Sequence, residues 1–338
     1  MSSAENNGFS IRSLIIPVFT PSLLFATGET AIVPTLPSIA IKLGADLPMA
    51  GFITGLIMAG TVVFDLPAAR VVDRIGERRA MIMAATVSVF SIAAAYFAPS
   101  LWLLGLAVFI SGMMLSVFGL ARHGYMTEHV PISHRARALS VLGGTFRAGG
   151  FAGPALASVV IFSFGQNSVF ILGAFFCLLS AGLLLATRPD QLEDTPPIEG
   201  ASIWGIVRRE APKLRTVGVA SAILSAIRNT RQIGIPLWGI YLGIHPGVIA
   251  LYIGIAGAVD LALFYTSGQI MDRWGRRWSM VPNLLLMGLA TYALIVTQSE
   301  MAFLTIVILM ALANGLGSGI VLTVGADLAP IDGRNEFL

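Results

Sequence analysis

Apolar stretches of about 20 residues recur along the chain with short polar breaks, long enough to cross roughly 30 Å of hydrocarbon at 1.5 Å per residue. Ten such spans can be drawn, at 14–38, 48–71, 80–98, 100–121, 138–163, 167–187, 216–242, 247–270, 279–297 and 301–326. The pattern predicts an all-α integral membrane protein built of helical hairpins. One long polar segment, Arg188 to Arg215, interrupts the rhythm after the sixth span; it carries Asp190, Glu193, Asp194 and a Pro196-Pro197 pair, then Arg208, Arg209 and Lys213. It reads as a linker, solvated or in part an interfacial helix, between a six-helix unit at 1–187 and a second unit at 216–338.

Composition strengthens that picture. Hydrophobic residues make up 56% of the chain and charged residues 12%, and mean hydropathy is +0.82, which is outside the range of water-soluble domains. Net charge is +3, carried almost wholly by arginines clustered between spans. Seventeen of the 21 basic residues fall in the segments that share a side with the N-terminus, and only Lys42 falls on the other. Positive residues collect on the cytoplasmic side, so the N-terminus and the linker are expected there. The polar first 13 residues precede an apolar stretch too long for a signal-peptide core, so the N-terminus is expected to be retained. Cys177, the only cysteine, excludes a disulfide framework within the chain and reads as a packing residue. His123, His129 and His134 are spaced unlike a common zinc site and are expected in a solvated loop.

An internal repeat is the strongest local signal. After the second span the chain reads Ala69-Arg70-Val71-Val72-Asp73-Arg74-Ile75-Gly76-Glu77-Arg78-Arg79, and after the eighth it reads Gly268-Gln269-Ile270-Met271-Asp272-Arg273-Trp274-Gly275-Arg276-Arg277. The copies lie 199 residues apart, each between the second and third helix of its half, as in parallel transporter repeats. The glycine permits a tight turn and the arginines anchor it on the cytoplasmic side.

The pattern G-x-x-x-D-R-x-G-R-R at this place resembles the signature loop of the major facilitator superfamily. That resemblance implies two pseudo-repeated bundles moving by alternating access, with Asp73 and Asp272 in a cytoplasmic latch. It also implies no enzymatic activity, small-molecule substrates, a monomer, and a multi-pass position in the cell's inner membrane. The first copy departs from the pattern at Ala69 and Glu77. A second likeness, Gly149, Gly153 and Pro154 in the fifth span, resembles the motif of the drug and proton antiporter branch; close helix packing is the alternative reading of the same residues. The arginine that many antiporters carry in the fourth helix is absent, since Val108 stands there. Two further helices, an eleventh and a twelfth, are implied by the resemblance after Pro330.

Ionisable residues within spans carry the candidate chemistry, because charge at membrane depth costs from about 2.5 kcal/mol upward. There are six: Glu29, Asp65, Arg147, Arg228, Arg231 and Asp260. Glu29 in the first span and Arg228 or Arg231 in the seventh fall at equivalent depth when the halves are aligned. In the fold implied by the resemblance those helices line a central cavity, which makes Glu29 the first candidate for a proton site and the two arginines candidates for an anionic group or for a pair with Asp260 or Glu29. Asp65, nearer the cytoplasm, is expected to partner the loop or Arg147.

No G-x-x-x-x-G-K-[ST] loop is present, so an ion gradient rather than ATP is expected to drive the work, with no cofactor. Gly315, Gly317 and Gly319 read as packing positions in a membrane helix. The function expected is proton-coupled efflux of a small hydrophobic or amphipathic compound. Uptake or exchange of an organic anion, and a truncated membrane protein that does not transport, are the alternatives.

Overall fold

A computed structural model describes residues 10–187, 219–275 and 277–317. The first span is one continuous helical run, Ile11–Lys42. It opens with 3-10 and π turns around Pro17, proceeds as α1 (Thr20–Ile32), tightens at Val33–Thr35, and resumes as α2 (Leu36–Lys42). Pro34 and Pro37 remove backbone donors there, which explains the interruption. The other spans are α3 (Leu47–Ile75), α4 (Glu77–Tyr96), α5 (Leu101–His129), α6 (Ile132–Phe164), α7 (Ser168–Ala186), α8 (Val219–Tyr241), α9 (Pro246–Trp274), α10 (Arg277–Val296) and α11 (Glu300–Leu316). Among the described residues the ten expected spans are ten helical runs, and eight of them are long and apolar enough to cross a membrane. The 188–215 linker, and the expected tenth span beyond residue 317, lie outside the described residues.

Local chemistry sets the ends. Asp46 caps α3 by accepting from the Met49 amide at 2.9 Å, and Ser100 and Ser299 do the same for α5 and α11. Gly76 and Gly275, the glycines of the repeated loop, adopt φ of +82° and +87°, which lets α3 and α9 stop and reverse within one residue. The fourth span runs further than its hydropathy suggests. Residues 122–129 hold no proline, the one glycine there, Gly124, is tolerated within the helix, and α5 ends only where Val130 and Pro131 impose an extended turn. His123 and His129 therefore sit on α5, and His134 on the first turn of α6, which corrects the expectation of a loop for all three.

The chain divides into two compact units. The first contains residues 1–190 together with 233–258, and the second contains 191–232 and 259–338. This division cuts α8 and α9 rather than falling at the linker. Its physical basis is close packing inside the first unit: Gly254 leaves room for Ala155, Gly257 for Phe151, and the His245 ring stacks on Phe162 at 5.2 Å. In that unit α3 packs along α5, and α1 along α6 and α7. Gly60 and Gly112 let the α3 and α5 backbones meet, for a methyl group at either would strike a carbonyl of the other helix.

Candidate functional site

Glu29 lies on α1 and is 2% exposed. Both carboxylate oxygens are buried, with no hydrogen bond within 3.5 Å from the described residues. Ser88 of α4, fully buried, lies alongside, and Cys177 of α7 closes the same space, its sulfur packed beside Gly28. A buried hydroxyl system continues from there: one turn along α4 from Ser88, Ser91 donates to the Ala107 carbonyl at 2.6 Å and pairs with Ser111 of α5 at 3.1 Å. Glu29 is thus enclosed by α1, α4 and α7 within the first unit. One turn before it, Phe25 stacks on Phe118 of α5 with centroids 4.0 Å apart.

Asp65 is exposed on α3, where Ser116 of α5 donates to its Oδ1 at 2.5 Å. Arg147 is half-buried on α6. Arg122, which hydropathy assigns to a loop, is 8% exposed inside α5, with its guanidinium 4.2 Å above the Phe146 ring and Nε and Nη1 without hydrogen-bond partners. The signal that could have found it is the absence of a proline before Pro131.

In the second unit Arg231 of α8 pairs with Asp260 of α9 at 2.8 Å. Asn314 of α11, a residue the sequence reading missed, donates to the same Oδ2 at 3.1 Å, leaving Oδ1 buried and unbonded. Arg228, one turn before Arg231, donates to the Gly317 carbonyl at the end of α11. The structure therefore brings Arg228 and Arg231 of α8 and Asp260 of α9 together within one unit, each bonded to the end of α11 directly or through its partner. Gly315 and Gly317 are packing positions, facing Leu263 and Asn283.

The signature loops are built differently in detail. In the first, Asp73, Arg74 and Arg79 are exposed, whereas Arg78 reaches across to donate to the Leu184 carbonyl at 2.6 Å and the Thr187 carbonyl at 2.5 Å, capping the end of α7. In the second, Gly268 and Asp272 lie on α9 and Arg273 and Arg277 are exposed, while Arg276 and the Asp272 side chain lie outside the described residues. In the fifth-helix motif, Gly149 and Gly153 face α1: a methyl group at Gly149 would sit 2.5 Å from Ala26, and one at Gly153 would strike Thr30. Thr30 bonds the Gly149 carbonyl at 3.1 Å. Pro154, next in line, is buried within α6.

This arrangement of hairpins, repeated loops and buried charges has a counterpart in known proteins, because the Major Facilitator Superfamily pattern matches residues 18–336. The chain belongs to that superfamily. It is a multi-pass membrane protein of a transporter family, not of an enzyme family. The multidrug resistance protein MdtL of Escherichia coli O81 is 22% identical over 315 residues, covering 91% of this chain and 79% of the relative. The methyl viologen resistance protein SmvA of Salmonella typhimurium is 27% identical over 179 residues, 53% of this chain and 36% of SmvA. An MFS-type transporter of Mycobacterium tuberculosis is 28% identical over 134 residues, 40% of this chain, which spans only 19% of that relative's length. Among solved structures, a bacterial homologue of the human lysosomal transporter Spinster, inward-facing and unoccupied, superposes with a TM-score of 0.77 at 16% identity, over 98% of this chain and 78% of the other. A D-xylose–proton symporter gives 0.73 at 15% identity, over 97% and 85%. At such identities the likeness shows the fold, two pseudo-repeated helical bundles of the major facilitator type.

Proposed function

We propose that this chain carries out secondary active export of a small hydrophobic or amphipathic compound in exchange for protons, by alternating access. The observation that carries the reading is Glu29, a carboxyl buried in the first membrane helix with only the Ser88 hydroxyl alongside and no ion-pair partner among the described residues. A carboxyl in that position changes its charge without breaking an ion pair, so its protonation can follow the access of water as the bundle changes state. The relatives' printed names, multidrug resistance and methyl viologen resistance, support the outward direction. The proton gradient supplies the energy, no cofactor takes part, and the working form is a monomer in the inner membrane with its N-terminus in the cytoplasm.

The anion-exchange reading draws less support. Its two arginines are already engaged, Arg231 by Asp260 and Arg228 by the Gly317 carbonyl. Everted vesicles loaded with a cationic dye or an organic anion separate the two: dye movement driven by a pH gradient is expected, and anion movement alone would replace the efflux reading. Glu29→Gln is expected to abolish pH-driven dye transport at unchanged protein level. Transport by that variant with the wild-type pH dependence would remove Glu29 from the proton site.

A further inference from the structure

At the end of the first unit away from the signature loops, α9 begins against the last turn of α6. Glycines give the room along this seam: Gly257 faces Phe151, Gly254 faces Ala155, and at the tip Gly247 faces Phe162, whose ring a methyl group there would meet at 2.9 Å. Phe162 is 58% exposed, so the tip supplies much of its support. The rest of that support is the imidazole of His245, which lies nearly flat on the Phe162 ring, 18° from parallel with centroids 5.2 Å apart.

The imidazole is fixed in turn by α9. His245 directly precedes that helix, and its Nδ1 accepts from the Gly247 amide at 3.1 Å. Accepting requires a lone pair, so Nδ1 carries no proton and the ring is neutral. Protonation sets an N–H against that amide N–H, and a positive charge at the positive end of a 29-residue helix. Among the described residues no charged side chain bonds to His245. The nearest charged residues along the elements packed on it are Arg147 of α6, Arg231 of α8 and Asp260 of α9, each 14 or 15 residues from the contact, on the order of 20 Å. Lys42 and Asp46, which border the turn from α2 to α3 at this end, are not bonded to it. Tyr241 of α8 and Tyr252 of α9 are the other titratable groups on these segments, and a phenol keeps its proton below about pH 8. His245 is exposed, so protons from bulk water reach it.

We propose that His245 is a proton-operated latch on this seam: neutral, it caps α9 and holds Phe162, and protonated, it releases both so that the seam parts. Acid therefore favours the parted form, because only that form accommodates the proton. A freed histidine titrates at about 6.5, so lowering the pH from about 7.5 to about 5.5 multiplies the parted population, relative to the closed one, by about tenfold. In the orientation drawn from the arginines this end faces the cell exterior, and an acidic exterior opens the protein toward itself. The inference rests on alternating access, and not on the compound carried or on Glu29.

Distances between spin labels in lipid nanodiscs test it. The labels sit at Asn167→Cys and Tyr241→Cys, exposed positions at this end of the unit. The chain also carries Cys177→Ala and Glu29→Gln, so that the proposed proton site does not contribute. A longer-distance population is expected to grow about tenfold relative to the shorter one between about pH 7.5 and about pH 5.5. His245→Asn, whose amide oxygen caps α9 and whose side chain is neutral at either pH, is expected to remove that growth. Phe162→Leu, which leaves His245 no ring to hold, is expected to raise the longer population already at the higher pH. The latch is overturned by growth of the same size in His245→Asn, by no response to pH, or by no rise in Phe162→Leu. A shift toward the shorter distance in acid, as a cation held on the Phe162 face gives, also overturns it. A single distance at every pH and in every variant would mean that this seam does not part, and overturns the latch together with the seam's role in alternating access.

Discussion

Arg231 and Asp260 illustrate what a single pair of residues can and cannot announce. Each is readable from sequence as a charge inside an apolar run, but the sequence leaves Arg231 free to pair with Asp260, to hold Glu29, or to await an anion. Geometry assigns it to Asp260, with Asn314 as a second donor. Removing one partner of a buried pair strands the other, at a cost of about 3–5 kcal/mol, while removing both together is far less costly. Arg231→Met and Asp260→Leu are each expected to lower the thermal midpoint in detergent, and the double variant to recover most of the loss; additive losses would mean that the pair does not act as a unit. Arg78 and Arg79 give a second contrast. Arg78 bonds the end of α7 and Arg79 is exposed, so Arg78→Ala is expected to destabilise by about 1–3 kcal/mol and Arg79→Ala to change little, read by the same melts.

At the scale of elements, helix existence was legible and helix facing was not. Hydropathy located α6, yet the Gly149, Gly153 and Pro154 motif could be read as an export signature or as packing. The structure gives both glycines a packing task against α1, whatever else the motif does. Gly153→Leu is expected to abolish the folded, monodisperse protein, because Thr30 and the α1 backbone leave no space. Gly150→Ala, at a position with open surroundings, is expected to be silent in size-exclusion chromatography. Similar yields of the two variants would mean that α1 and α6 separate readily. The end of α5 shows the opposite error: hydropathy stops at residue 121 because polar side chains begin, but a helix ends where backbone donors or dihedrals fail, here at Pro131.

For the whole molecule, alternating access requires packed seams to open and close. Within the first unit, the outer part of α9 meets α6 at Gly254 and Ala155. A Gly254→Cys and Ala155→Cys pair, again without Cys177, is expected to halt transport on oxidation and restore it on reduction. Undiminished transport by the cross-linked protein would show that this seam does not part during the cycle. Topology is tested by reporter fusions, with Gly76 and Gly275 expected on the cytoplasmic side and Gly44 and Gly165 on the other; the inverse result would overturn the orientation drawn from the arginines.

By itself the sequence determined the membrane setting, the ten helical runs, the repeat and through it the superfamily, because run length, charge sidedness and the Asp-Arg-x-Gly loop are local signals. Only the tertiary structure decided which face of each helix turns inward. It enclosed Glu29 beside Ser88 and Cys177, placed Arg122 over the Phe146 ring, and joined Arg231 to Asp260. The physical reason is that a helix apolar on every side has no amphipathic stripe to set its rotation. In such a helix, small residues, buried hydroxyls and charge pairs choose the facing, and they do so only through partners far away in the chain.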